Sequence, residues 1–294
     1  MDTARWISWL NLTALVTTML AMGLQVRIQA VLASASPARG LLPGLLANYA
    51  MVPIVTMGLL YLFRADPMVS VGFFILAVCP GAPVGPPITA LARGDVPRAI
   101  GVMVILAGLS AFLSPALIGL FATRMVPDGD RHVDYLAIGK TLLITQMLPL
   151  ALGLGIHHGA PGLTHRIARP VGLLANVLLL ALVGLILAAQ HETLAAIRFR
   201  GWTGMSLLLL ASLGIGWLCG GPDPAARKAM AVTTATRNVA VGLVIVTSQF
   251  AGTPAVTAVV AYGLISTIGA LGFALLPGRF AAMELKDAPA PSSR

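Results

Sequence analysis

Residues 79–87 read CPGAPVGPP and lie inside an otherwise apolar stretch, with four prolines and two glycines in nine positions. Each proline lacks a backbone donor and clashes with the preceding helical turn, so this segment cannot continue a helix. A simple kink needs only one proline. In hydrocarbon, the backbone groups that such a break frees must be buried in protein or line a cavity. The segment therefore predicts a membrane helix that is broken within the bilayer.

The composition places the rest of the chain in a membrane. Of its 294 residues, 57% are hydrophobic and only 10% are charged, whereas about 25% are charged in an average soluble protein. The net charge is +9, but the basic residues punctuate the apolar segments, as loop residues do in helical membrane proteins. These observations argue against a soluble enzyme and against nucleic-acid binding, and the lipid bilayer is the expected partner.

Nine apolar segments are close to the length that crosses a bilayer as a helix. They span residues 6–28, 41–63, 69–91, 96–121, 135–157, 167–190, 201–220, 225–250 and 254–276. We predict an all-α polytopic membrane protein with one transporter domain over residues 1–278 and a disordered cytoplasmic tail over residues 279–294. The first segment is interpreted as a retained span, because about 20 apolar residues are too many for a signal peptide core.

The distribution of basic residues predicts the orientation in the cell membrane. One set of alternate loops, together with the tail, carries Arg27, Arg39, Arg93, Arg98, Arg166, Arg169, Arg227, Lys228, Arg279, Lys286 and Arg294. The opposite set carries Arg5, Arg64, Arg124, Arg131, Arg198 and Arg200. Because the richer side faces the cytoplasm in most membrane proteins, we expect the N-terminus outside and the C-terminus in the cytoplasm.

A second interruption lies in the eighth apolar segment, where residues 233–238 read TTATRN. A helix that begins near Pro224 places Arg237 about 18 Å along its axis, close to the bilayer centre. An arginine at that depth costs about 2.5–3.5 kcal/mol to insert. We interpret Arg237 as facing a substrate. The alternative is that backbone carbonyls cap the side chain and that it ties helices together.

Two interrupted spans, one in each half of the chain, are the pattern of a secondary transporter built from inverted repeats. None of the spans contains an aspartate or a glutamate. Proton pumps and cation carriers commonly use such a carboxylate, so its absence favours another kind of substrate.

Several motifs resemble those of the bile acid:sodium symporter family. The most specific is Cys-Pro-Gly at residues 79–81, followed by LARGD at residues 91–95, which leads into the fourth span. Further matches are residues 19–26 (MLAMGLQV), 49–53 (YAMVP), 148–154 (LPLALGL) and Asn238. The resemblance covers essentially the whole chain, which is similar to the nine-helix form of the family.

The resemblance implies a fold of two parts. The core would comprise residues 41–121 and 201–276, and the panel would comprise residues 6–28 and 135–190. The broken third and eighth spans would cross near the midplane, and the core would move against the panel to give alternating access. The substrate would be a small organic anion.

The chain departs from the family where the resemblance places the sodium ligands. The matching positions are Asn48, Gly85, Pro86, Ala99, Met103, Thr233 and Arg237. Alanine and methionine cannot coordinate a hard cation that prefers oxygen, and Thr233 stands where the family has a central glutamate. We therefore predict that Arg237 replaces the sodium ion as a fixed charge that binds the anion bidentately. The alternative is conventional sodium symport through backbone carbonyls, Thr233, Thr234 and Thr236.

The predicted substrate-binding residues come from both interruptions and from the second span. They are Asn48, Pro83, Gly85, Pro86, Thr233, Thr234, Thr236, Arg237 and Asn238. No cofactor, metal site or oligomeric state is assigned.

Two other classes are weighed against a transporter, a passive channel and an intramembrane enzyme. A channel would give flux that does not saturate. The enzyme is disfavoured because His157, His158 and His165 lie at a span end and in a loop, without carboxylate or cysteine neighbours in the sequence.

Overall fold

The computed structural model describes residues 3–34, 41–125, 134–195 and 197–275, and these ranges contain helices and no strand. The predicted tail at residues 279–294 lies outside the described residues. So do Arg39 and Arg131, which the predicted orientation uses.

The helices follow one another with short connections. They are α1 (Thr3–Gln25), α2 (Ile28–Ser34), α3 (Leu42–Leu62), α4 (Pro67–Ala77), α5 (Gly85–Leu91), α6 (Val96–Met125), α7 (Tyr135–Gly159), α8 (Pro161–Ala195), α9 (Phe199–Cys219), α10 (Pro224–Ala235), α11 (Val239–Gln249) and α12 (Pro254–Leu275). Two of them widen into π-helical turns, α3 at Leu46–Met51 and α7 at Leu143–Met147.

The all-α polytopic fold is confirmed. Within the described residues, eight segments are long and apolar enough to cross a membrane, and they match eight of the nine predicted spans. The other predicted span, residues 69–91, is present as the two short helices α4 and α5, separated by the proline-rich break. The short helix α2 was not predicted, and α8 extends beyond the predicted 167–190 at both ends.

The outer surface of the bundle is apolar. Ile54 on α3 is 67% exposed, Leu180 on α8 is 71% exposed, and Leu210 on α9 is 62% exposed. Exposing such side chains to water would cost free energy, whereas contact with lipid tails does not, because lipid tails are as apolar as leucine. The chain is thus an integral, multi-pass membrane protein.

Aspartates cap the first turns of several helices. Asp66, Asp134 and Asp223 accept backbone N–H groups at the starts of α4, α7 and α10, over 2.9, 2.8 and 3.0 Å. Asp95 accepts the N–H of Arg98 at the start of α6 over 3.0 Å. These carboxylates satisfy donors that a helix N-terminus leaves free, and they stay at the ends of the spans.

The closest packing occurs within two groups of helices. In the first group, α1 runs along α8 and along the second half of α7. In the second group, α4 packs along α12 and α9 packs along α10, around the two broken segments. The division of the chain into a moving core and a panel stays a prediction.

The first break requires glycine at residue 81. The backbone of Gly81 has φ +85°, and a Cβ atom there would lie 2.7 Å from the backbone nitrogen of Ala107 on α6. A side chain would meet both backbone strain and a steric overlap with α6, so the break can approach α6 closely only because this residue has no Cβ.

Replacing Gly81 by Ala should destabilise the protein by about 1–3 kcal/mol, because overpacking against α6 adds to the unfavourable φ. Thermal unfolding of the purified protein in detergent measures the effect. Gly108→Ala is the matched control, since a Cβ at Gly108 meets nothing within 4 Å. Equal melting temperatures for the two variants would contradict the packing described for the break.

Candidate functional site

The two broken segments meet through Asn238. Its backbone N–H donates to the carbonyl of Cys79 over 2.9 Å, and its Nδ2 donates to the carbonyl of Gly81 over 3.3 Å. Its Oδ1 accepts the N–H of Val241 over 3.3 Å, which caps the start of α11. Asn238 therefore joins the breaks and starts the second half of the eighth span.

Arg237 lies at the centre of this junction and is only 1% exposed. Its Nη1 donates to the carbonyl of Ala77 over 3.0 Å, and its Nη2 donates to the carbonyl of Thr234 over 2.6 Å. Ala77 ends α4, and Thr234 lies in the last turn of α10. Because a helix C-terminus carries partial negative charge, the guanidinium lies between two partly negative helix ends.

In the part of the chain that the structure describes, Arg237 has no acidic hydrogen-bond partner. Both acceptors are neutral backbone carbonyls. Its Nε is buried and has no hydrogen-bond partner among the described residues. The contacts are those of an arginine that ties two helix ends together, but they also leave a buried cation that a bound anion would neutralise.

The three predicted threonines lie in and directly after the last turn of α10, close before Arg237 in the chain. Thr233 and Thr236 donate their hydroxyls to carbonyls one turn earlier in α10, over 2.7 and 2.9 Å. The Thr234 hydroxyl accepts from Nδ2 of Asn48 over 3.4 Å. All three are buried, and their oxygens keep free lone pairs.

Asn48 links the second span to the second break. It lies in the π-helical turn of α3, a feature frequent at functional sites. Besides its contact with Thr234, its Nδ2 donates to the carbonyl of Gly44 over 3.0 Å. Its Oδ1 is buried without a partner in the described part of the chain.

The other predicted positions are spread along α5 and α6. A Cβ at Gly85 would lie 3.4 Å from Oγ1 of Thr236, so the start of α5 lies against the second break. Ala99 and Met103 are buried on α6. Met103, but not Ala99, borders a cavity, which Pro83 and Pro86 also line.

Two cavities lie between α1 and α8 on one side and the breaks on the other. The central cavity, of about 230 Å³, is bordered by Arg237, Asn238 and the first residues of α11, with apolar walls from α8 and α12. The entrance cavity, of about 220 Å³, lies between α1, α8, the first break and α6. Thr18 and Pro83 border both cavities, so the two spaces adjoin.

A wider depression of about 860 Å³ follows the entrance cavity and opens to the surface. Gln25, Gly172 and Asn176 border both spaces, and Arg169 lies at the wider one. The three spaces therefore adjoin one another between the surface near Arg169 and Arg237.

Sequence reasoning missed the polar residues that hold α6. Tyr49 donates its hydroxyl to the carbonyl of Leu106 over 2.7 Å. Gln146, in the π-helical turn of α7, donates to the carbonyl of Ala107 and to Oγ of Ser110. The available signal was a polar side chain within an apolar span, next to Asn48 in one case and next to Thr145 in the other.

The histidines considered as metal ligands do not come together with other ligands. Nδ1 of His157 lies 2.7 Å from the carbonyl of Leu24. Among the residues that the structure describes, no group of three or more His, Cys, Asp or Glu side chains could hold a metal ion.

Comparison with known proteins places the chain in a family. Residues 12–197 match the sequence model described as the sodium bile acid symporter family. The chain is 24% identical to the uncharacterized sodium-dependent transporter YocS of Bacillus subtilis over an alignment of 220 residues. This alignment covers 72% of this chain and 66% of the Bacillus protein. It is 23% identical over 204 residues to the human ileal sodium/bile acid cotransporter, covering 69% and 58%.

A plant relative gives a longer alignment. The probable chloroplastic sodium/metabolite cotransporter BASS1 of Arabidopsis thaliana is 22% identical over 254 residues, which is 85% of this chain and 62% of that protein. The matches thus span 58% to 66% of the lengths of these relatives. Since the family match covers more than half of the sequence, the chain belongs to the sodium bile acid symporter family.

Proposed function

We propose that this protein is a secondary transporter that carries a small organic anion across the membrane by alternating access, without sodium. The observation that carries the proposal is Arg237, a buried guanidinium that borders a cavity and has no acidic hydrogen-bond partner among the described residues. Two of the relatives named above are described as a bile acid cotransporter and a probable metabolite cotransporter, which supports an organic acid as the substrate.

The position of Arg237 supports the proposal that transport does not use sodium. Broken helices of transporters often direct carbonyls and C-terminal ends at a coupling cation. Here the carbonyls of Ala77 and Thr234 receive hydrogen bonds from the guanidinium instead. The positive charge is covalently attached, so it does not enter or leave during the cycle.

The same charge favours an anion in the central cavity. A buried charge without a counter-ion is costly, and a carboxylate beside it would recover much of that cost through charge-assisted hydrogen bonds. The start of α11 also borders the cavity, and the positive end of its dipole adds to the attraction. Nε of Arg237 has no partner among the described residues and is available as a donor.

The route to the site indicates which side is open. The entrance cavity and the wider depression lead to the end of the bundle near Gln25, Arg169 and Asn176. Arg169 belongs to the basic set that the positive-inside rule places in the cytoplasm. The structure then corresponds to a cytoplasm-open state, and movement of the core against α1 and α8 would open the other side.

Conventional sodium:organic anion symport is the second candidate. The names of the relatives favour it, since each includes sodium. The carbonyl oxygen of Thr234 contacts the arginine, and Thr233 and Thr236 adjoin Thr234 in the chain. Sodium symport would require a sodium ion to bind close to the guanidinium of Arg237, and repulsion between the two positive charges opposes this.

Exchanging Na⁺ for K⁺ at constant ionic strength should leave the melting temperature of the purified protein unchanged. A sodium site filled at about 100 times its dissociation constant would add about 2.7 kcal/mol to the stability. Thermal unfolding in detergent at increasing sodium concentrations measures this stabilisation. A saturable rise specific to sodium would contradict sodium independence and make symport the mechanism.

Replacing Arg237 by Gln should weaken anion binding by about 10- to 100-fold, because a hydrogen bond to a charged group contributes about 1.5–3 kcal/mol. Binding is followed by thermal stabilisation with a panel of organic anions, from short aliphatic carboxylates to bile salts. Uptake into proteoliposomes is measured in parallel.

Arg166→Gln is the control for this variant, because it removes an arginine that is exposed on α8 and does not border the cavities. Arg237→Lys keeps the charge and loses the forked geometry, so it should give intermediate binding. Uptake at the wild-type rate by a folded Arg237→Gln variant would contradict the proposed role of Arg237 in binding the anion.

Preloading proteoliposomes with unlabelled substrate should accelerate uptake of labelled substrate. When the site is empty, the core must move with the uncompensated charge of Arg237. When the site holds a monoanion, the two charges cancel and the core moves without a net charge at the site. Counterflow and saturation are measured in the same preparation. Equal rates in loaded and empty vesicles, with flux that does not saturate, would indicate a channel instead.

A further inference from the structure

Gln146 lies at the point where α7 changes neighbours. The first half of α7 packs along α6, whereas the second half packs along α1. The π-helical turn between the two halves, Leu143–Met147, contacts both α1 and α6. Gln146 is fully buried in this turn, and such turns are frequent at functional sites.

The amide nitrogen of Gln146 holds α6. Its Nε2 donates to the carbonyl of Ala107 and to Oγ of Ser110, the latter over 2.7 Å. Oγ of Ser110 in turn donates to the carbonyl of Ala107 over 2.8 Å. Because only a donor can face a carbonyl, these contacts fix the orientation of the amide. Its Oε1 is then buried without a partner in the described part of the chain.

The segment of α6 that Gln146 holds is attached to the first break. Ala107 lies against Gly81, where a Cβ atom would be 2.7 Å from the Ala107 nitrogen. Further along α6, Oγ of Ser114 donates to the carbonyl of Val78, at the end of α4, over 2.5 Å. Gln146 therefore connects a turn that contacts α1 to a helix that is fixed to the breaks.

This contact lies directly beyond the entrance cavity. Ile100 and Met103 of α6 border that cavity, and Ala107 follows Met103 after about one helical turn. From there towards the other end of the bundle, α6 packs along the first half of α7. In a cytoplasm-open state, the contact between α6 and α7 thus lies on the closed side.

We propose that Gln146 is a positioning residue of the transport cycle. Its amide holds α6 to α7 in the cytoplasm-open state, and its hydrogen bonds break each time the opposite side opens. This inference rests on the proposed transport by alternating access and assigns to one side chain a contact that must separate during the cycle.

The chemistry of the contact suits an interaction that forms and breaks. Apolar side chains can contact lipid tails as well as one another, whereas a hydrogen bond between helices favours one arrangement. The buried Oε1 offsets part of this gain, because an acceptor without a donor costs free energy. Water satisfies both ends of the amide once the helices separate. The contact therefore favours the closed arrangement without making it permanent.

Cysteine modification tests this role without a known substrate. Ile138 lies about two turns before Gln146, in the half of α7 that packs along α6, and is 2% exposed. The probe is Ile138→Cys in a Cys219→Ala background, in which the remaining native cysteine, Cys79, is buried. Its rate of reaction with a small water-soluble methanethiosulfonate measures the fraction of protein in which α6 and α7 are apart.

Adding Gln146→Leu should raise this rate about 3- to 10-fold, because the closed arrangement loses the hydrogen bonds of the amide. Thr145→Val is the matched control. It lies in the same π-helical turn, and its hydroxyl donates to the carbonyl of Thr141 in its own helix over 2.7 Å. It should leave the rate unchanged. An unchanged rate in the Gln146→Leu variant overturns the proposed role.

A second cysteine position separates this role from general loosening of the bundle. Ile100→Cys, in the same background, reports access to the entrance cavity. Gln146→Leu should not raise the rate there, because the cytoplasm-open fraction does not increase. Faster modification at both positions would show that the variant only loosens the packing, and it overturns the role.

A cross-link between the two helices tests whether they must separate. Ser110→Cys and Gln146→Cys are joined by a short, cleavable bis-methanethiosulfonate. The cross-link should abolish anion exchange in proteoliposomes and leave anion binding in place, and its reduction should restore exchange. Exchange that continues with the helices joined overturns the inference. A wild-type protein that binds no organic anion overturns the proposed function instead, and the modification rates still decide the role of Gln146.

Discussion

The hydrogen bonds from Arg237 to the carbonyls of Ala77 and Thr234 are the interaction on which the centre of this structure depends. Two helices stop inside the bundle, and each leaves carbonyls that cannot reach water. A guanidinium satisfies acceptors at both ends and places a positive charge between two negative helix termini. Asn238, the next residue, then joins the breaks and starts α11. The arrangement is both a structural junction and a charged wall of a cavity.

Local chemistry was enough to predict where the helices break. Four prolines at residues 79–87 cannot fit a helix, and TTATRN at residues 233–238 interrupts an apolar run at a depth set by helix rise alone. The acceptors of Arg237 could not be predicted in this way, because Ala77 is 160 positions away in the chain. The carbonyls that accept from the guanidinium depend on how the two breaks pack against each other. This packing cannot be predicted from a single sequence.

The polar residues of α1 and α7 also show that contacts between distant helices could not be predicted from the sequence. Thr18 and Gln146 are ordinary as isolated residues of apolar spans, where a threonine commonly bonds to its own helix, as Thr17 does. Their interest comes from what lies opposite. Gln146 meets the backbone and a serine of α6, whereas Thr18 meets a cavity.

A tethered charge has consequences for the transport cycle that a diffusing ion does not have. A sodium ion leaves its site together with the substrate, whereas the guanidinium of Arg237 stays in place when the site empties. With Arg237 in place, the empty site carries a bare cation, and moving one charge across a membrane potential involves about 2.3 kcal/mol per 100 mV. Binding of a monoanion cancels that charge, so the loaded protein reorients more easily than the empty one. In the proposed transport cycle, this site would therefore favour the exchange of one anion for another.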